Sequence, residues 1–194
     1  MKKDIILAGV GGQGILSIAA IIGYAAVQTG LYLKQAEVHG MSQRGGDVQS
    51  NLRLSDKPIA SDLIPHGKAD MILSVEPMES LRYLPFLNPE GWLVTNTKPF
   101  INIPDYPAEE DIMAEVKKLP HHVALDAESI ATELGTVKAA NMVMLGAASP
   151  FLGLEYDKLQ DAISFFFGRK GQELVDLNLK ALEAGREFAR KNMN

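Results

Sequence analysis

The sequence predicts a three-layer α/β/α domain with a largely parallel, Rossmann-like sheet and a helical C-terminal part. Three observations predict it. A continuously apolar run, Ile5-Ile6-Leu7-Ala8, enters Gly9-Val10-Gly11-Gly12-Gln13-Gly14 and then Ile15-Leu16, the strand–turn–helix order of an anion-binding loop. Strand and helix patterns alternate through Leu134, and from Lys138 onward every segment reads as helix. The 194 residues, 46% hydrophobic, suit one domain spanning 1–194, with no repeats and no linker.

Taken in order, Ile5 to Ala8 reads as a buried strand of a sheet covered on both faces. Ile15 to Gln28 is the first helix, capped near Gly30, and Leu31 to Val38 the second strand. In Asp47 to Ser55, Val48, Ser50, Leu52 and Leu54 alternate with Gln49, Asn51 and Arg53, the pattern of a half-buried strand. No helical pattern separates these two strands, which departs from a standard dinucleotide fold. Ala69 to Val75 is a further strand. Glu79 to Leu87 is a short helix stopped by Asn88-Pro89-Glu90-Gly91, and Trp92 to Asn96 is the next strand. Pro99, Pro104 and Pro107 make Lys98 to Pro107 a loop. Asp111 to Lys118 is a helix, His122 to Asp126 a strand and Ser129 to Leu134 a helix, followed by helices at Ala139–Ala148, Tyr156–Phe167 and Gln172–Lys191. In the last, Leu174, Leu177, Ala181, Ala184 and Phe188 form the predicted core stripe.

Composition excludes several classes. The net charge is −5 with no basic run, which argues against nucleic acid. The chain has no cysteine, so it holds no disulfide, no thiolate nucleophile and none of the usual thiolate ligands of an iron–sulfur cluster. Any redox centre in its assembly then belongs to another chain, and a cytoplasmic location fits. Met1-Lys2-Lys3 before a mostly apolar stretch to Val27 imitates a signal peptide or membrane span. Gly9, Gly11, Gly12, Gly14 and Gln13 break that stretch, and Asp4 spoils its positive flank. The expectation is a soluble protein with no membrane association.

Gly9, Gly11 and Gly14 satisfy the spacing G-x-G-x-x-G, and Gly12 and Gln13 complete the loop. Phosphate or carboxylate is the first ligand class to consider; tight strand–helix packing is the plainer explanation. Glu37, about twenty residues past the loop, stands where a dinucleotide fold places its ribose-binding acid, or is a solvated strand-end charge. A second block, Glu37-Val38-His39-Gly40-Met41-Ser42-Gln43-Arg44-Gly45-Gly46, concentrates special residues. Gly40, Gly45 and Gly46 permit positive φ, and Arg44 offers a planar fork for carboxylate or phosphate. Ser42 and Gln43 add neutral hydrogen bonding, and Met41 an adaptable apolar contact. His39 is a candidate proton carrier near neutral pH, or simply a hydrogen-bonded strand end. His121 and His122 are adjacent on a strand and point to opposite faces, which disfavours a shared metal. Glu76 and Glu79, one helical turn apart after a strand, are candidates to orient a substrate, but they, like Asp126 with Glu128, read more simply as charges at helix N-termini.

In these two blocks the chain resembles the gamma-type subunit of 2-oxoacid:ferredoxin oxidoreductases. Gly9-Val10-Gly11-Gly12-Gln13-Gly14-Ile15 is similar to that family's N-terminal loop, and Glu37 to Gly46 to the indolepyruvate branch, in its small beta subunit. The resemblance covers nearly the whole chain. It implies an oxidoreductase subunit, inactive alone, working with a larger alpha-type subunit that binds thiamine diphosphate and iron–sulfur clusters. The implied reaction is oxidative decarboxylation of an arylpyruvate with coenzyme A, giving aryl-acetyl-CoA and carbon dioxide, with electrons passed to ferredoxin. This chain would then bind no cofactor by itself. The cofactor-facing candidates are Gly9, Gly11, Gly12, Gln13, Gly14, Met41, Ser42, Gln43, Arg44, Gly45 and Gly46. They either shape a coenzyme A or substrate channel or only lock the two subunits together. Two other classes stay open: a free-standing nucleotide- or flavin-binding protein with Glu37 on a ribose, and a scaffold with a degenerate site. Without its partner, the chain could bury exposed apolar surface as a homodimer.

Overall fold

A computed structural model describes residues 1–39 and 45–193, His39 by its backbone alone. Six strands form one sheet: β1 (Lys2–Val10), β2 (Tyr32–His39), β3 (Asp47–Ser55), β4 (Ala69–Ser74), β5 (Leu87–Asn96) and β6 (His122–Leu125). Their order is β2-β3-β1-β4-β5-β6. The helices are α1 (Ile15–Gln28), α2 (Pro77–Arg82), α3 (Glu109–Val116), α4 (Ala127–Glu133), α5 (Ala140–Ala148), α6 (Tyr156–Phe167) and α7 (Gln172–Asn192).

β1 pairs in parallel with β4, β4 with β5 and β5 with β6, while β3 is antiparallel to both β1 and β2. All strands but β3 therefore run in one direction. The reversed strand explains the missing crossover helix. β2 and β3 form a hairpin-type pair, and β3 returns between β1 and β2, so α1 carries the chain across one strand position. β1 is longer than its apolar run because β3 pairs with it from Lys2↔Ser55 to Val10↔Asp47.

Further corrections follow from packing. β3 is covered on both faces, not half-exposed. Asn51 on its polar side is buried and accepts a hydrogen bond from Ile64 N (3.1 Å) in the loop that folds over it. The predicted turn at Asn88–Gly91 lies within β5, where pairing with β4 is irregular between Ala69↔Leu87 and Met71↔Trp92. Pro89 and Gly91 sit in that irregularity, as strand prolines and glycines do. The short helix before it ends at Arg82, with a 3₁₀ turn at Leu84–Phe86. On α7 the buried line is Val175, Asn178, Leu182, Gly185 and Ala189, with Ala181 alongside. Of the predicted stripe only Ala181 is fully buried. Glycine draws α7 onto α5: a Cβ at Gly185 would lie 1.9 Å from Val143 O, and one at Gly146 1.9 Å from Leu182 O. Close backbone contact, not large side chains, fixes which face turns inward.

Two cores flank the sheet. On one face α1, α5, α6 and α7 pack on Ile5, Leu7, Leu52, Met71, Leu73, Val94 and Val123. On the other, Tyr83, Ile64 and Val116 cover Ile6, Ala8, Ile72 and Leu93. The alternation of Ile5/Leu7 with Ile6/Ala8 between the two cores is the period of a strand buried on both sides. The ends of β1, β4, β5 and β6 thus converge on one edge.

Candidate functional site

The glycine loop turns from β1 into α1 at this carboxyl edge, where open α/β sheets place their ligands. Gly12 (φ +103°) and Gly14 (φ +84°) have left-handed backbone, which a side chain would strain. Gly14 caps α1, and the first intrahelical bonds are Ser17 N (3.1 Å) and Ile18 N (3.3 Å) to Gly14 O. The amides of Ile15 and Leu16 precede them, so the helix end points its positive pole outward. Gly9 serves packing: its Cβ would sit 2.4 Å from Val75 Cγ2. Gln13 turns back into the protein, its Oε1 accepting from Val10 N (2.8 Å) and its Nε2 donating to Val75 O (3.4 Å). Its first task is to hold the loop.

Two clefts flank this loop. One, of about 270 Å³, is lined by Gly12, Gly14, Asn96, Glu128, Lys138 and Asn141 among others. Asn96 is the organiser there. Its Oδ1 accepts from Ala127 N (3.1 Å), and its Nδ2 donates to Val75 O (3.3 Å), tying the ends of β4 and β5 to α4. Burial, with Asp126 nearby, raises the Glu128 carboxyl above its ordinary range despite Asn96 and Lys98. Burial works against Asp126 too, but the Ser129 amide (2.9 Å) and hydroxyl, with Lys98, hold its pKa down. Asp126 and Glu76, expected only as charges near helix N-termini, are the N-caps of α4 and α2, their side chains accepting from Ser129 N and Glu79 N. The second cleft, of about 260 Å³, lies between the loop and β2–β3 and is lined by Gly11, Gly12, Gly14, Leu16, Glu37 and Val48. Glu37 therefore does face the glycine loop, but from a strand two positions from β1, with β3 between.

Of the second sequence block, Gly45 takes φ +78°, and Gly46 O accepts from Gly11 N (2.9 Å), joining the block's end to the glycine loop. Gly40, Met41, Ser42, Gln43 and Arg44, and the His39 side chain, lie outside the described residues. His121 packs against Trp92, with ring centroids 5.1 Å apart, whereas His122 Nδ1 meets Leu119 O at 2.8 Å. Among the described residues no three His, Cys, Asp or Glu side chains gather as a metal ion would need, and no helix is long and apolar enough to cross a membrane. Sequence reasoning missed Asn96, Lys138 and Asn141 as site residues. Only the position of Asn96 at a strand's carboxyl end signalled it.

A six-stranded mixed sheet whose central strand opens into a glycine loop, with clefts on both sides, defines an α/β domain with its candidate site at the carboxyl edge of the sheet. The chain belongs to the pyruvate ferredoxin/flavodoxin oxidoreductase family, whose profile matches residues 4–188. It is similar to the indolepyruvate oxidoreductase subunit IorB of Pyrococcus horikoshii, 37% identical and aligned over 100% of both chains. Among solved structures it resembles the gamma subunit of a keto/oxoacid ferredoxin oxidoreductase from Geobacter sulfurreducens. There the TM-score is 0.71 at 24% identity, over 97% of this chain and 99% of that one. It also matches part of the 2-oxoglutarate:ferredoxin oxidoreductase of Magnetococcus marinus, solved with 2-oxoglutarate, coenzyme A and succinyl-CoA bound. That TM-score is 0.77 at 23% identity, over 98% of this chain and 31% of that longer one. The chain is thus the small subunit of a 2-oxoacid:ferredoxin oxidoreductase, and a free-standing nucleotide- or flavin-binding protein does not fit that membership.

Proposed function

We propose that this chain is the small subunit of an arylpyruvate (indolepyruvate) ferredoxin oxidoreductase, forming one wall of a coenzyme A site that a larger subunit completes. The observation that carries this reading is similarity to indolepyruvate oxidoreductase subunits along the full length of both chains. The reaction is oxidative decarboxylation of the arylpyruvate, with coenzyme A taking the acyl group and ferredoxin the electrons. This chain's residues do not fit an iron–sulfur cluster, since it has no cysteine. The clusters and thiamine diphosphate are assigned to the larger subunit.

The size of the clefts supports a shared site. At about 270 and 260 Å³, each falls below the roughly 300–1,000 Å³ of complete small-molecule pockets. Either could seat one phosphate-bearing segment of coenzyme A, leaving the rest to be enclosed by the partner. The α1 amides and Lys138 supply the positive character that such a segment requires. Arg44, two residues before Gly46 in the sequence, is the further fixed charge this reading assigns to the site.

The test is reconstitution with the larger subunit and an assay of indolepyruvate- and coenzyme A-dependent viologen reduction. The account expects activity in the complex only, and a higher KM for coenzyme A in Arg44→Ala. If the Arg44→Ala complex falls apart while its residual activity keeps the same coenzyme A dependence, the loops are subunit locks and the channel role is wrong.

A further inference from the structure

We propose that Glu76 is a positioning residue: its carboxylate clasps the segment between β5 and α3 into an arch that braces the glycine loop. The proposal rests on the reading of this edge as a coenzyme A wall and names what holds that wall in shape.

Glu76 lies fully buried just beyond the carboxyl end of β4. Its two oxygens do different work. Oε2 caps α2, accepting from Glu79 N at 2.8 Å. Oε1 accepts from Phe100 N at 3.2 Å and from the Tyr106 hydroxyl in a short hydrogen bond. Both feet of the arch, Phe100 and Tyr106, therefore stand on one oxygen atom. Pro104 stiffens the span between them by fixing its own φ. At the crown, Asn102 Nδ2 donates to Gly45 O at 2.6 Å. The next residue, Gly46, accepts from Gly11 N at 2.9 Å in the glycine loop. A continuous path runs from Glu76 through the arch to the loop that starts α1.

Burial does not hold this arch. Ile101 is 69% exposed, Phe100 45% and Ile103 41%, so the segment lacks the apolar anchoring that keeps most loops in place. A buried carboxylate that accepts three hydrogen bonds is a strong anchor by contrast, because bonds to a charged acceptor exceed neutral ones. A helix cap alone needs only one of its oxygens.

The test measures amide hydrogen exchange on the full chain, alone and in its complex, together with coenzyme A kinetics of the complex. Tyr106→Phe should speed exchange at least tenfold both in 100–106 and at Gly11. Asn102→Ala should speed exchange at Gly11 and Gly45–Asp47 while leaving the Phe100 amide protected. Glu76→Gln should reproduce the Tyr106→Phe pattern; if that variant fails to fold, the other two carry the test. In the complex, Tyr106→Phe and Asn102→Ala should raise KM for coenzyme A several-fold with kcat within twofold. Unchanged exchange at Gly11 in both variants overturns the clasp, whatever the enzyme's substrate. Coupled exchange with an unchanged KM overturns the positioning role. A wild-type complex that ignores coenzyme A strikes instead at the reading on which the proposal rests.

Discussion

Replacing Gly185 by alanine should destabilise the protein by about 2 kcal/mol or more, although alanine is the better helix former. The new methyl would lie 1.9 Å from Val143 O, 2.8 Å from Val143 C and 2.9 Å from Ala147 N. These are backbone atoms of α5, which cannot rotate aside, so the helices must part by about an ångström. A gap of that size forfeits roughly a quarter to a half of the dispersion energy across it. Val143, Ala147, Ala181 and Leu182, all at or near zero exposure, pack in this region. Overpacking of this kind costs about 1–3 kcal/mol, and a backbone clash belongs at or beyond the top of that range. Removing a mid-helix glycine returns about 1 kcal/mol. The net loss should lower Tm by roughly 4–8 °C in a chain of this size. The assay is thermal and urea unfolding followed by circular dichroism. Gly168→Ala is the control, because Gly168 has φ −55° and nothing within 4 Å of a built Cβ; it should be neutral or slightly stabilising. A Gly185→Ala protein as stable as wild type would refute the claim that backbone contact sets the α5–α7 crossing.

Arg53→Ala should cost about 1–3 kcal/mol, because Asp4 is 1% exposed and loses a two-point grip from Arg53 (2.7 and 3.0 Å), with Lys2 the cation still paired to it among the described residues; urea midpoints check it. Glu128→Gln should stabilise the protein at neutral pH. Burial raises that carboxyl's pKa from the 4.5 of an ordinary glutamate, so folding favours the protonated form and the ionised form costs stability. The variant's advantage should therefore shrink as pH falls through the raised value and be gone below 4.5, as unfolding at several pH values would reveal. Asp126 titrates the opposite way. Its lowered pKa makes its stabilisation present above the ordinary carboxylate range and lost on acidification. Loss of this cap in Asp126→Ala should cost about 0.5–2 kcal/mol at neutral pH. Gly12→Ala should cost about 1–2 kcal/mol from left-handed backbone alone, with nothing near its Cβ to add a clash.

Much of the fold was legible because local pattern determined it. Ile15–Gln28 and Tyr156–Phe167 carry helical spacing, and Ile5–Ala8 is a short apolar run stopped by the glycine turn; the structure has all three elements. What the sequence concealed was set at long range. Nothing local in Asp47–Ser55 says that it slots between β1 and β2, because register and strand order are chosen by partners far along the chain. The α7 stripe was misjudged since hydrophobic size, the usual guide, ranks Gly185 as no contact at all, yet its absent side chain draws the helices together. The glycine loop was found because its spacing is compact. Asn96, Lys138 and Asn141 were not, because they reach the same cleft from β5, from the 3₁₀ turn at Val137–Ala139 and from α5. Glu76 was legible as a charge at a helix N-terminus, while its grip on Tyr106, thirty residues on, left no mark in the sequence.

The central claim is that this subunit offers one wall of a site and has no catalysis of its own. Titrating purified larger subunit with this chain, while following indolepyruvate- and coenzyme A-dependent viologen reduction, tests it most directly. The account predicts no turnover from this chain alone and a rise that saturates at a fixed stoichiometry. Turnover by the isolated 21.1 kDa chain, or a larger subunit equally active without it, would contradict the account.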